Sequence, residues 1–339
     1  MFQPGFFDFD KRLSKIDKQG EPLAKIDKAV NWEIFRPILE KAREKERKSA
    51  AGAKGYDMIV LFKALIIQSL YNLSDDATEF QILDRISFGR FLGLHLGSKV
   101  PDATTLWRFR QDLVNADVMK ELFSIFDDHL RDHGFMAMKG QIVDASIVEA
   151  PRQRNSREEN RLIKEGKVPE EWPENKRRRK DVDARWTKKN GKTFFGYKNH
   201  VSIDVKHKLI RDFLVTDAAL HDSNVFVELL ADNTSRDVWA DSAYRSRKIL
   251  GHLHGAGYRE HIQRKGNRGR KLSRAEQKGN HTRSRIRSRV EHVFGVQVQK
   301  AGILILRTVG IARVFVKIGL RNLAYNMDRA GTLVTLNSG

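Results

Sequence analysis

Gly140-Gln-Ile-Val-Asp-Ala-Ser-Ile-Val148 decides how the 339-residue chain is read. Gln141–Ile147 alternates apolar and polar side chains as a strand does, and it carries an acid, Asp144. Upstream, apolar residues recur at helical spacing; downstream, strand patterns begin. A carboxylate inside an apolar strand lowers stability unless something nearby stabilises its charge. Two further acids are comparably placed. Asp241 closes the apolar run in Val238-Trp-Ala-Asp-Ser-Ala-Tyr244, and Glu291 lies on the arginine-studded helical stretch Ser288-Arg-Val-Glu-His-Val-Phe-Gly295.

Toward the N-terminus, Trp32–Leu39 and the charged Glu40–Arg47 read as a polar helix that Gly52 and Gly55 break. Asp57 caps an apolar helix through about Leu70, and Asp75 and Asp76 start another that carries Phe80, Leu83 and Ile86 on one face. Pro101-Asp-Ala-Thr-Thr-Leu-Trp-Arg-Phe-Arg110 is a helix start in which Asp102 accepts from the Thr104 or Thr105 backbone N–H. Residues 1–136 therefore read as an all-helical domain, either a helix-turn-helix DNA reader or a packing and dimerisation module.

Toward the C-terminus, Phe194–Asp204 and Leu209–Thr216 read as hairpin strands, followed by a helix from His221 to about Leu230. Arg236–Ala240 is a strand ending at Asp241, Ser246–His254 a helix, Tyr258–Gln263 a strand, and Thr282–Gln299 a helix. The expected fold class is mixed α/β, with a mixed five-stranded sheet and helices on both faces over residues 137–330. Residues 331–339 read as a tail. Residues 151–193 form an insertion with no apolar period, holding 15 Lys/Arg against 8 Asp/Glu between Pro151 and Lys192. A second basic tract, Arg259–Arg289, holds 12 Lys/Arg against 2 Asp/Glu, and its 264–282 segment reads as a basic loop.

These two tracts account for most of the net charge of +20 and the pI near 10.1. Charge so concentrated attracts polyanions and makes their binding salt-dependent. Hydrophobic residues at 40% place the chain among globular proteins. With no Cys there is no disulfide, thiolate-zinc site or cysteine nucleophile. Met1–Asp10 lacks the pattern of a signal peptide, and Met58–Ile67 is too short to span a bilayer, so the chain is expected in the cytoplasm with no membrane partner. There is no Gly-x-x-x-x-Gly-Lys-Ser/Thr, no dinucleotide fingerprint and no Gly-x-Ser-x-Gly, which argues against a nucleotide cofactor and a serine nucleophile. His252 and His254 lack a third ligand.

Carboxylates at strand ends are held rigidly. If the first and fourth strands are neighbours, Asp144 and Asp241 converge, and Glu291 on a crossing helix completes a cage. Three clustered carboxylates need cations to stay ionised. Two Mg²⁺ ions, or Mn²⁺ in their place, roughly 3.5–4 Å apart suit an in-line displacement at phosphorus. Each acid has a plainer reading too: Asp144 as a strand-end residue, Asp241 as a helix N-cap, and Glu291 as the partner of Arg287 four residues earlier.

At these residues the chain resembles bacterial insertion-sequence transposases of the DDE superfamily, in particular the insertion-sequence-five group. Val100–Arg110, Ile142-Val-Asp-Ala-Ser-Ile147, Asp183-Ala-Arg-Trp-Thr-Lys-Lys189, Phe195-Gly-Tyr-Lys-Asn-His-Val201, Leu220-His-Asp-Ser223, Ala240-Asp-Ser-Ala-Tyr-Arg245 and Arg287–Gly295 carry the likeness in order. The resemblance implies a ribonuclease-H-like catalytic domain with Asp144, Asp241 and Glu291 as metal ligands. It implies cleavage at terminal inverted repeats and strand transfer into target DNA. In the family's Tyr-x-x-Arg-x-x-x-Glu-x-x-x-x-x-x-Lys signature, Arg287 and Glu291 fit, while Ser284 stands in the Tyr position and Val298 in the Lys position. Expected DNA contacts are Arg108, Arg110, Arg177, Arg178, Arg179, Lys180, Lys198, Arg245, Arg283, Arg285, Arg287 and Arg289. Paired ends imply a homodimer on nucleoid DNA. The rival readings are a metal nuclease that cuts without joining and a catalytically silent DNA-binding descendant.

Overall fold

The computed structural model describes residues 7–44, 55–95, 97–189, 191–267 and 269–337. The chain divides into two compact units, Met1–His129 with Leu320–Gly339, and Leu130–Gly319.

In the first unit, α1 (Asp8–Lys18), α2 (Pro22–Ala29), α3 (Arg36–Arg43), α4 (Met58–Tyr71), α5 (Asp75–Asp84), α6 (Ile86–Leu92), α7 (Ala103–Asn115) and α8 (Met119–Asp132) follow one another. Asp57 caps α4 by accepting from Ile59 N–H at 2.7 Å, and Asp102 caps α7 by accepting from Thr105 N–H at 2.6 Å. Phe35, Phe62 and Phe126 lie fully inside, and Trp32 packs edge-on to Phe62 and Phe91. The polar helix expected to reach Arg47 is a 3-10 turn, Trp32–Phe35, followed by α3. Its end beyond residue 44, the breaker Gly52 and the leader reading of residues 1–6 fall outside the described residues. Phe80 and Leu83, expected on an apolar face of α5, are exposed.

The second unit is built on a mixed sheet. Its strands are β1 (Gln141–Glu149), β2 (Arg185–Lys189), β3 (Lys192–Asp204), β4 (Ile210–Asp217), β5 (Asp237–Ala240) and β6 (Arg259–Ile262). The order is β2-β3-β1-β5-β6, with β4 also paired to β3. β1 is antiparallel to β3 and parallel to β5. Side chains alternate between faces. Val143 faces a core with Val238, Ile262 and α11 (Arg247–Gly255), whereas Val148 faces a core with Tyr197, Val314 and Ile318 of α13 (Ile311–Asn337). Helices thus cover both faces. Gly196 lies where β3 leaves β1, at φ +152°, and a Cβ there would lie 2.3 Å from Val148 O.

Five expectations need correction. The sheet has six strands rather than five, because the insertion supplies β2. The insertion is not structureless: it forms α9 (Arg157–Lys164) and α10 (Glu174–Arg179) as well. Its organising group is polar. Glu159 accepts from Ser156 N–H, Trp172 Nε1 and Lys176 Nζ, while Trp172 and Ile163 are buried beneath. The expected 221–230 helix is only a 3-10 turn, Asp222–Asn224. Gln141 exchanges two hydrogen bonds with the Ala231 backbone and holds the segment in a non-helical path, with Phe226 and Leu229 still buried. The 331–339 tail is helical to Asn337, since α13 continues from the sheet unit into the helical unit and buries Leu323, Ala324, Met327 and Ala330. The basic 264–282 loop, likewise, is helical from Arg274. There Ser273 and Glu276 form a reciprocal cap that starts α12 (Arg274–Ala301).

Candidate active site

The parallel register pairs Gln141 with Val238 and Ile142 with Trp239. Carried two residues on, it sets Asp144 level with Asp241, and the alternation puts both on one face of the sheet. α12 packs against β1 and β5. From α12, Arg287 donates through Nη1 to Asp144 Oδ2 at 2.7 Å and through Nη2 to Glu291 Oε1 at 2.8 Å. Asp144 keeps 16% of its side-chain surface and Glu291 60%.

Burial raises the Asp144 pKa above the ordinary carboxylate value. The Ala145 N–H and Arg287 work against that rise, and the charge of Asp241 adds to it. Asp241 accepts from Ala243 N–H at 2.7 Å and caps the 3-10 turn Ser242–Tyr244. The plainer roles of Asp241 and Glu291, as cap and as ion-pair partner, are therefore both filled. One guanidinium brings Asp144 and Glu291 together, and Asp241 acts on Asp144 through its field. Among the described residues no three His, Asp or Glu side chains stand close enough to hold a metal ion as a group. In kind, three carboxylates suit Mg²⁺ or Mn²⁺. Arg287 already brings positive charge to the place where those acids require it.

Tyr244 was not anticipated from the sequence. Its hydroxyl is buried without a partner, and burial, then Asp144, Asp222 and Asp241, raise its pKa well above the phenol value. The available signal was an aromatic three residues after a strand-ending acid. His200 is also close-set: its Nε2 lies 2.9 Å from Thr216 Oγ1, and burial pushes its pKa down to about 4.

The expected DNA contacts separate by what holds them. Arg110 forms a two-pronged ion pair with Asp75 at 2.8 and 2.7 Å and also bonds Gln68. Lys198 binds Asp222 and the Leu220 carbonyl, Arg245 pairs with Glu260, and Arg289 donates to Val205 O. Lys180 bonds Arg154 O and Asn155 Oδ1. Arg283 is half-buried, and its Nε has no partner. Arg108, Arg177, Arg178, Arg179 and Arg285 face solvent. Of these, Arg178 pairs with Glu174, and Arg177 donates to Glu170 O at 2.7 Å.

A family model described as Transposase DDE domain matches residues 136–327, more than half of the chain. The chain belongs to this family of DDE transposases. A second model, described as Transposase domain (DUF772), matches residues 11–112 of the transposase. One solved structure it resembles is the cryo-EM structure of the piggyBac transposase synaptic complex with hairpin DNA. That likeness has 11% sequence identity, covers 93% of this chain and 73% of the other, and has a TM-score of 0.46. The transposase is a DNA-cutting and DNA-transferring enzyme of the insertion-sequence kind. No single helix among its described residues is long and apolar enough to cross a membrane.

Proposed function

We propose that the transposase cuts DNA at the terminal inverted repeats of an element of the insertion-sequence-five group and joins the freed ends to target DNA, acting as a homodimer in the cytoplasm. Asp144, Asp241 and Glu291 are the residues that would hold its divalent ions. The observation that carries this reading is the meeting of Asp144 and Glu291 at Arg287, a residue 143 positions from Asp144, within the family-matched segment.

Two Mg²⁺ or Mn²⁺ ions bound by these acids would supply the Lewis acidity that in-line phosphoryl displacement draws on. The chain's own groups do the rest. β1 and β5 fix the directions of Asp144 and Asp241. The cores on the two sheet faces keep those strands rigid. Arg287 Nη2, once released from Glu291, would be free to donate to a phosphate oxygen while Nη1 stays on Asp144. The helical part, residues 1–136, would bind element ends or pair subunits, with Arg108 on its exposed side.

The test is a strand-transfer assay on duplexes carrying the inverted repeats that flank the gene, with Mg²⁺ and then Mn²⁺. Asp144→Asn, Asp241→Asn and Glu291→Gln should each abolish cleavage and leave end binding within a few-fold of wild type. Cleavage surviving any of the three removes that residue from the ligand set. Cutting without joined product by the wild type turns the reading into that of a nuclease.

A further inference from the structure

Beyond the acids, the sheet unit contains a cleft of about 580 Å³. It lies between the loop that follows β1 (Ala150 to Arg154), the α10 segment (Pro173 to Asp181) and the Leu306–Val309 loop. Six cationic side chains line it: Arg152, Arg154, Lys176, Arg179, Lys180 and Arg307. Its one acid, Asp181, is already engaged. Both its oxygens accept from the Tyr197 hydroxyl, at 2.7 and 2.8 Å, and Oδ1 also accepts from the Asp183 and Ala184 N–H groups.

Elsewhere in this unit cations find partners, Arg245 with Glu260 and Arg259 with Asp237 for example, and in the cleft itself Lys176 pairs with Glu159. Arg154, Arg179 and Arg307 make no ion pair among the described residues. Gln153 Oε1 is buried at the cleft with no hydrogen-bond partner. Lys180 fixes the cleft rim by bonding Arg154 O and Asn155 Oδ1. A concave site with unbalanced positive charge and an unsatisfied amide oxygen suits an anion that also carries a donor. A nucleotide has both, a phosphate and a base edge, and Gln side chains bond base edges. The volume suits a ligand of nucleotide size.

We propose that this cleft seats an unpaired stretch of DNA strand, its phosphates on Arg154, Arg179 and Arg307 and a base edge on Gln153. The proposal rests on the DNA-cutting reading of Asp144. Ala150 is six residues past Asp144 along the same strand, about 20 Å at roughly 3.3 Å per residue. At about 3.4 Å per nucleotide along one strand, the seat lies about six nucleotides from the bond that is cut.

The experiment uses the full chain and fluorescent oligonucleotides of the element end, single-stranded and duplex, over a range of salt. Replacing Arg154, Arg179 and Arg307 together by Ala should weaken single-strand binding about tenfold or more. The salt slope should shrink by about two, since each lost contact removes roughly 0.7. Duplex binding should change less than threefold. Equal loss for both forms, or no loss for the single strand, overturns the proposal while the cutting reading stands. A wild type that binds neither form overturns both. Amide hydrogen exchange on the wild type covers the case of a poorly folded variant. The single strand should slow exchange at Leu306–Val309, and unchanged exchange there also overturns the seat.

Discussion

Arg287 and Asp144 are joined at 2.7 Å between α12 and β1, and the other prong of the same guanidinium holds Glu291 at 2.8 Å. Asp144 is mostly buried, and the Arg287 guanidinium works against the rise in its pKa that burial causes. Truncating Arg287 leaves a largely buried carboxylate without its partner, at a cost of about 1–3 kcal/mol. Arg287→Ala is therefore expected to melt below wild type. Mg²⁺ should raise its melting temperature more than it raises that of wild type, because no guanidinium competes for the acids. Differential scanning fluorimetry with and without Mg²⁺ reads both effects. An equal Mg²⁺ shift in the two proteins would show that Arg287 and the ion do not share a place.

Glu159 ties the insertion together, and its pKa is held down to about 2 by Lys176, the Ser156 N–H and Trp172. A carboxyl depressed in the folded state stabilises it fully above the unfolded value, near 4.5. That contribution is lost as pH falls from there toward about 2. The insertion should loosen over that window ahead of the sheet, seen as faster amide exchange in α9 and α10. At neutral pH, Glu159→Gln should speed trypsin cleavage at Arg177, Arg178 and Arg179. A variant as resistant as wild type would mean that Trp172 burial alone holds the segment.

Gly196 predicts a backbone failure. A Cβ at this residue meets Val148 O at 2.3 Å and Ala150 N at 2.8 Å, both main-chain atoms that cannot swing aside. Gly196→Ala should cost about 1–3 kcal/mol or more from strain at this φ, besides the clash. It would act on the β1–β3 pairing downstream of Asp144. Urea denaturation of the variant should show an earlier midpoint, and an unchanged midpoint would mean that the strands part here without cost.

Part of this architecture is legible in the sequence because short apolar runs bounded by turn residues read as strands, one carrying Asp144 inside it and one ending at Asp241. β1 and β5 are found that way, whereas their parallel pairing comes only with the folded register, since the segment before β5 holds a 3-10 turn and not a helix. The Arg287–Glu291 spacing marks one helix face. The insertion escapes such reading because its order comes from a charged hub and one tryptophan, which leave no period. The Ser273-x-x-Glu276 cap was present in the sequence, but the basic residues around it hid the start of α12. The 221–230 segment has a helix-like pattern, but distant residues hold both its ends, Lys198 at Leu220 and Asp222 and Gln141 at Ala231, and such contacts leave no local period. Arg287 shows the same limit at the site. Spacing gives its bond to Glu291, whereas its bond to Asp144 exists only once the sheet is folded.

Arg108 and Arg110 sit two apart on α7 and should behave oppositely. Arg110 is spent on Asp75 and Gln68, with 15% of its side chain exposed, while Arg108 faces solvent. Arg110→Ala removes the two-pronged ion pair of a half-buried Asp75 and should lower the stability of the helical unit by about 1–3 kcal/mol, with the salt slope of DNA binding unchanged. Arg108→Ala should leave melting alone. If Arg108 touches a phosphate of duplex DNA, its loss lowers the slope of log K against log salt by about 0.9. Arg177→Ala belongs with Arg108 in this respect, since its exposed side chain donates to a backbone carbonyl, Glu170 O, and not to an acid. Fluorescence anisotropy at several salt concentrations, run beside thermal melts, separates the two classes. A slope change in Arg110→Ala with normal melting would reverse their assignment.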